Sequence, residues 1–503
     1  MKKRSFPVVL LMGLFYVFFS LNIWATGDLM LTQTIHRPAE LGFNESKFAK
    51  AITDFLNRAS DVHDVVIVKD DKMVFHATKY PYQKDVPHSM MSCSKSVTSI
   101  LTGIAIEEGF IETIDTPLYK WYPQLQTDSL KSQLTLYHLL SMTAGLDWNE
   151  SGLYGETDSY IQMLSQPDPI AYFLSRDMDY RPGTYFEYNS GATALLGAIL
   201  EQATGMDLLE YARTRLFEPL SIDKYEWLKL STGNRNAASS LYLTAKEMAM
   251  IGSLMLNKGV VNGQQIVSEQ WIEQTTQKNM ATPRGPAGNY GYGLSWWMNS
   301  QGGFSARGYG GQFIMVYPEK RLVVVTTGGL FGNDFYYPDT ILSKGLLAAL
   351  SEPVEDEGAL NACYEQFSRF NPKNFGIDPK DLPYLNQTVE FESETIVRWS
   401  DCEKEDALGL HMVINGNVVD CQLPLDGTFV QVDFGDFGNY QQNLAMIGLQ
   451  YLTKSSVELI VRRFQSPYVY RYVLRYYGNK ASWIAYVSSM NGVFEQYSGS
   501  VIE

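Results

Sequence analysis

Cysteine is scarce, with four residues in 503. A chain of this length can build its own core, so no disulfide scaffold is implied. Histidine is almost as sparse. The six (His36, His63, His76, His88, His138 and His411) show no HExxH or other ligand spacing, and none lies between 139 and 410. Neither a metal centre nor any other cofactor is expected. Positive charge is outweighed, with 40 Lys and Arg against 55 Asp and Glu and a formal charge of −15. Lacking a basic stripe, the chain does not read as a nucleic-acid binder. Long apolar runs are missing after residue 25, so no later helix is expected to cross a bilayer.

What is plentiful is apolar: 45% hydrophobic against 19% charged residues, the balance of a well-cored globular protein. The length predicts two or three domains. At the N-terminus Lys2, Lys3 and Arg4 precede an apolar stretch from Phe6 to Ala25, and Ile23-Trp24-Ala25 ends in a small residue. Residues 1–25 read as a secretory signal, which predicts a periplasmic or extracellular protein. If retained, the same stretch would be a membrane anchor. Export permits one disulfide, and Cys402 with Cys421 is the expected pair, on strands joined through an Asn415-Gly416 turn. Cys93 reads as a buried thiol.

Helical periodicity follows Asn44 as a cap in NESKFAKAITDFLNRA, and DVVIVKDDKMVFHATKY reads as a hairpin turning at Lys69–Lys72. Helices and loops dominate 112–260, and strands return in YGYGLSWWM, GQFIMVYPE and RLVVVTTGG before a closing helix, DTILSKGLLAAL. Strands at both ends with helices between predict one antiparallel sheet assembled from distant segments, an α+β domain over 26–350. Residues 351–380, acidic and then proline-bearing, read as a linker. Short strand-like runs over 381–503 predict a separate all-β accessory domain.

Chemistry concentrates in MMSCSKSVTS, residues 90–99, at the mouth of an apolar helix. Small hydroxyl residues compete with the helix backbone for hydrogen bonds, so they need a reason to be there. Ser92 and Lys95 are three apart and share one helix face. Two readings fit: an N-terminal cap beside a solvated lysine, or a serine nucleophile beside its base. A serine hydroxyl needs such a base, and a lysine can serve once burial lowers its pKa. Further on, Tyr188-Asn189-Ser190 stands between a Pro-Gly turn and a long apolar helix, and Tyr309-Gly310-Gly311 opens a strand, where glycine admits a close approach to the backbone. Taken singly, these read as a packed tyrosine and a β-turn.

Together and in this order, with a hairpin before the first motif and another after the third, they resemble the penicillin-recognising serine hydrolases. The chain is most similar to the class C β-lactamase-related branch, which includes carboxylesterases, D-amino-acid peptidases and aminohexanoate-oligomer hydrolases. LTLYHLLSMTAGLDW and SLYLTAKEMAMIGSLMLNKGVVNGQQIVSEQW share in the likeness, which runs from about 50 to 350. The resemblance implies a β-lactamase/transpeptidase-like antiparallel sheet flanked by helices, with a helical subdomain. It implies Ser92 as the acylated nucleophile, Lys95 as its proton acceptor and Tyr188 as the partner in acid/base work. The backbone N–H groups of Ser92 and Gln312 would form the oxyanion hole, and Ser190, Tyr309, Gly310 and Gly311 would meet substrate.

Two departures qualify the likeness. Ser190 stands where many relatives have asparagine, and Tyr309 where β-lactamases and peptidases use a lysine or histidine that grips a substrate carboxylate. Arg307, two residues earlier, is the other candidate for that charge. Met142, at a place where relatives often carry histidine, reads as packing. Trp296 and Trp297 alternate along a strand, so at most one faces the site. The expected activity is hydrolysis of small-molecule esters or small amides through an acyl-serine. The alternatives are a penicillin-recognising sensor that acylates without turnover, and a β-lactamase or D-peptidase.

Overall fold

The computed structural model describes residues 34–150, 157–282, 290–402, 406–414, 416–433, 444–488 and 493–502. The signal-like segment 1–25 and Asn415 lie outside the described residues. Strand β1 (Val62–Lys69) sends Val65 and Ile67 to one face of a sheet and Val66 and Val68 to the other, and all four are fully buried. A sheet buried on both sides needs a layer of helices on each. That is what surrounds it.

The six-stranded sheet runs in the order β2 (Lys72–Thr78), β1, Leu322–Gly328, Gln312–Tyr317, Phe304–Gly308, Trp297–Met298, antiparallel throughout. The N-terminal hairpin thus pairs with strands 250 residues later, as expected. Asp70 and Asp71 turn the hairpin at φ 49° and 61°, the left-handed geometry of a tight turn. On one face pack helix α1 (Glu45–Arg58), capped by Asn44 as predicted, and the helices Lys344–Ala349 and Glu357–Ser368. On the other pack α2 (Cys93–Glu107) and Ala245–Leu256, with Ser190–Thr204 packed against α2. The segment 351–380, expected to be a linker, is therefore only partly one. Leu360, Cys363 and Phe367 share a helix face and join the core, Phe367 lying 5.7 Å from Phe75 ring to ring. Of the prolines that suggested a linker, Pro353 precedes this helix and the others come after it.

The C-terminal all-β domain is a ten-stranded antiparallel sheet over Thr388–Ile502 around Trp399, Trp483 and their neighbours. Its edge strands, Asn417–Pro424 and Val430–Asp433, touch, so the sheet curls towards a barrel. Cys402 and Cys421 are not joined by a disulfide. Cys402 follows strand Ile396–Asp401 and Cys421 lies on Asn417–Pro424, with strand Ala407–Ile414 between those two, and next-but-one strands stand about 10 Å apart, beyond the usual span of a disulfide.

This domain docks beside the segment that carries Ser92 and Lys95. Arg462 Nη1 donates to Asp61 Oδ1 at 2.6 Å and to Tyr82 OH at 3.2 Å, and Phe429 N donates to Tyr80 OH at 3.0 Å. Ser89 N donates to Gln465 O at 3.0 Å, tying the short strand β3 (His88–Ser89) to the second domain three residues before Ser92.

Candidate active site

Ser92 occupies the cap position of α2 but its side chain makes no capping hydrogen bond. Instead its Oγ accepts from Lys95 Nζ at 2.9 Å. Of the two readings open for this pair, the geometry fits the nucleophile and its base. Met91, immediately before, is held at φ 49°, a conformation costly for a residue with a Cβ. The neighbouring hydroxyls have other work. Ser94 Oγ donates to Met91 O at 2.7 Å, Ser96 Oγ to Ser295 O at 2.6 Å and Ser99 Oγ to Leu294 O at 2.9 Å, while Thr98 Oγ1 reaches Ala237 O at 3.1 Å. They sew the helix start to the loops that enclose it. Ser92 alone is left for Lys95.

Lys95 is 1% exposed and donates a second bond to Ala238 O at 2.9 Å. Burial lowers its pKa from 10.5 to about 8, with the Glu150 carboxylate pulling the other way. Its nitrogen lies 4.9 Å from the centre of the Tyr188 ring. Tyr188 in turn stacks on Trp297 at 5.8 Å, and Trp297 is braced by Tyr292 at 4.8 Å. Met142, fully buried, packs in this cluster, as expected of it. Trp296 faces away, buried against Phe304, so only Trp297 of the two meets the site.

Glu150 was not legible beforehand. It accepts from Trp148 Nε1 at 2.6 Å, from Ser190 Oγ at 2.8 Å and from Ser190 N. Burial raises its pKa and Lys95 opposes the rise. The serine that departs from the usual asparagine is thus engaged by a carboxylate which also acts on Lys95. A glutamate at the end of LTLYHLLSMTAGLDWNE, on the polar side of an apolar run, was the only available signal.

The third motif lies beside the helix start, where Cys93 Sγ donates to Gln312 O at 3.2 Å. Gln312 is fully buried, and its Nε2 donates to Gly328 O at 2.8 Å and Tyr309 O at 3.0 Å. Tyr309 packs its ring on Phe331 at 5.0 Å. The glycines are explained by protein rather than by open space. A Cβ on Gly310 (φ 82°) would meet Pro467 Cβ at 2.6 Å, and one on Gly311 (φ 87°) would meet Leu330 at 2.8 Å. Arg307 points into the protein, donating to Ser305 Oγ and Met298 O at 2.9 Å each and lying 3.6 Å from Asp339. It does not stand in for the missing cation. Among the described residues no cluster of His, Cys, Asp and Glu suits a metal.

Beside Ser92 opens a cleft of about 1220 Å³ whose walls include Met91, Ser190, Trp227, Asn236 and Tyr242, with Pro467 and Tyr468 from the β domain. It is large enough for a substrate well beyond an acetyl ester.

The Beta-lactamase family model matches residues 48–339. The chain is 26% identical over 370 residues to the 6-aminohexanoate-dimer hydrolase of Paenarthrobacter ureafaciens, covering 66% of this chain and 92% of that protein. It is 29% identical over 154 residues to a β-lactamase of Escherichia coli (strain K12), covering 31% and 38%. Among solved structures, a Bacillus anthracis protein provisionally named a 6-aminohexanoate-dimer hydrolase aligns at TM-score 0.52 and 23% identity over 59% of this chain and 81% of its own. A Bacteroides dorei DSM 17855 protein provisionally named a β-lactamase aligns at TM-score 0.52 and 18% identity, over 61% and 99%. The matched region contains the six-stranded sheet and all three motifs, and by it the chain belongs to the β-lactamase family.

Proposed function

We propose that this protein is an exported serine hydrolase that cleaves esters or small amides through an acyl-Ser92 intermediate. One observation carries the reading: a buried lysine with a lowered pKa, 2.9 Å from a serine oxygen that caps nothing. In its neutral form Lys95 takes the Oγ proton as Oγ bonds to the substrate carbonyl carbon. The carbonyl electrons move to oxygen, where the backbone N–H groups of Ser92 and Gln312 are the assigned donors. As the intermediate collapses, the carbon–oxygen or carbon–nitrogen bond to the leaving group breaks and the proton passes to that group through Tyr188. Water then repeats the sequence and frees Ser92. The hydrolase names of the relatives support ester or amide chemistry, and the tyrosine at 309 supports substrates without a carboxylate to be gripped.

Intact mass after exposure to p-nitrophenyl butyrate is the test. The native chain gains one butyryl group and releases p-nitrophenol steadily, Ser94→Ala does the same, and Ser92→Ala does neither. A butyryl adduct on Ser92→Ala defeats the assignment. A single burst without turnover favours the acylating sensor instead.

A further inference from the structure

The cleft in front of Ser92 is not built by the β-lactamase-family domain alone. Pro467 and Tyr468, from the turn between two strands of the β domain, share its wall with Met91 and Ser92. The turn is seated by specific contacts. Ser89 N donates to Gln465 O at 3.0 Å, and Tyr468 N donates to Ser466 Oγ at 3.1 Å. Pro467 lies where Gly310 has no Cβ, and its carbonyl oxygen would be 2.5 Å from a Cβ on Gly329. Two glycines of the hydrolase domain thus leave room for one proline of the other. The Tyr468 ring stacks parallel to Phe331, 6.0 Å apart with 4° between planes, and Phe331 packs on Tyr309 of the third motif. An aromatic row therefore runs from the motif to the second domain.

We propose that the β domain is a working part of the substrate site, and that Tyr468 is a specificity-determining residue favouring substrates with an aromatic or branched apolar group on its side of the scissile bond. The inference rests on the hydrolase reading given above. The apolar faces of Tyr468 and Met91, both partly exposed, are the surfaces such a group would cover, and the cleft has room for it. An aromatic contact of this kind contributes about 3- to 10-fold in binding.

Three esters followed by proton release test it: ethyl acetate, ethyl phenylacetate and 2-phenylethyl acetate, which place a phenyl group on neither side, the acyl side and the alcohol side. Tyr468→Ala and the milder Tyr468→Leu are expected to raise KM about 3- to 10-fold for one of the phenyl esters, with kcat little changed. Ethyl acetate should be unaffected, and Tyr468→Phe should behave as native. A KM rise shared equally by all three esters, or none for either phenyl ester in the folded Tyr468→Leu, overturns the inference while leaving the hydrolase intact. A native enzyme that turns over none of the three and is not acylated at Ser92 overturns the hydrolase reading, and the inference with it.

Discussion

Titrating Lys95 tests the active site at its centre. Burial holds its pKa at about 8 rather than 10.5. The neutral fraction, the form able to take the Ser92 proton, is then about 1% at pH 6, about 10% at pH 7 and about 90% at pH 9. For p-nitrophenyl butyrate, kcat/KM should rise about tenfold per pH unit below pH 7 and flatten near pH 9, once spontaneous hydrolysis is subtracted. Glu150 opposes the effect of burial, so Glu150→Gln should move the midpoint to lower pH and raise the relative rate at pH 6. A flat profile from pH 6 to 9, or a midpoint moved upward by Glu150→Gln, would refute the reasoning.

The same burial has a consequence for stability with a fixed sign. Between pH 8 and 10.5 the unfolded chain holds the Lys95 proton and the folded chain has released it, so stability rises with pH through that window. Below pH 8 both states are charged and the whole cost stands, about 3 kcal/mol for the shift given. Lys95→Met removes it while losing the bonds to Ser92 and Ala238 O, each worth about 1 kcal/mol. The variant should therefore be inactive yet at least as stable as native at pH 7 by urea unfolding, with that advantage gone or slightly reversed at pH 9.5. A variant clearly less stable at pH 7 would show that the lysine is not held against its solvation preference.

What could be read from the sequence was local or periodic. Ser92 and Lys95 are three apart, nearly one helical turn, which puts them on one helix face, and the apolar run Val65–Val68 marks a strand. The hydroxyls around Ser92 could not be sorted, because the partners of Ser96 and Ser99 are carbonyls 199 and 195 residues away. Glu150 was missed for the same reason, being defined by Ser190, 40 residues on. Gly310 was read as room for substrate, since a glycine in a strand tells only that something approaches closely. The visitor is Pro467 of the second domain. Helix Glu357–Ser368 was obscured by the prolines on either side of it, although Leu360, Cys363 and Phe367 keep helical spacing. Motif chemistry is short-range, whereas the shape of the cleft is set by pairings across more than a hundred residues.

Gly310→Ala should both clash with Pro467 and strain a backbone at φ 82°, lowering the melting temperature and exposing the domain junction to limited proteolysis. Unchanged melting and cleavage would mean that the domains do not depend on this contact. Lys95→Ala and Tyr188→Phe should each slow acylation by orders of magnitude, and the double variant should be little worse than the slower single one, because groups in one proton path are not additive. Additive losses in rapid-mixing assays would separate their roles. The last expectation is that p-nitrophenyl butyrate outpaces a chromogenic cephalosporin in kcat/KM by one to two decades. A charge-assisted bond to the antibiotic's carboxylate is worth about 1.5–3 kcal/mol, and Tyr309 brings no charge to make it. Arg307 cannot make it either without leaving Asp339, Ser305 and the Met298 carbonyl, a buried set of partners whose loss would leave Asp339 uncompensated. Arg307→Ala should accordingly lower the melting temperature and leave the ester-to-cephalosporin ratio where it was. Cephalosporin turnover equal to that of the ester would sink the argument, and a ratio that collapses only in Arg307→Ala would show the arginine swinging out to hold the carboxylate.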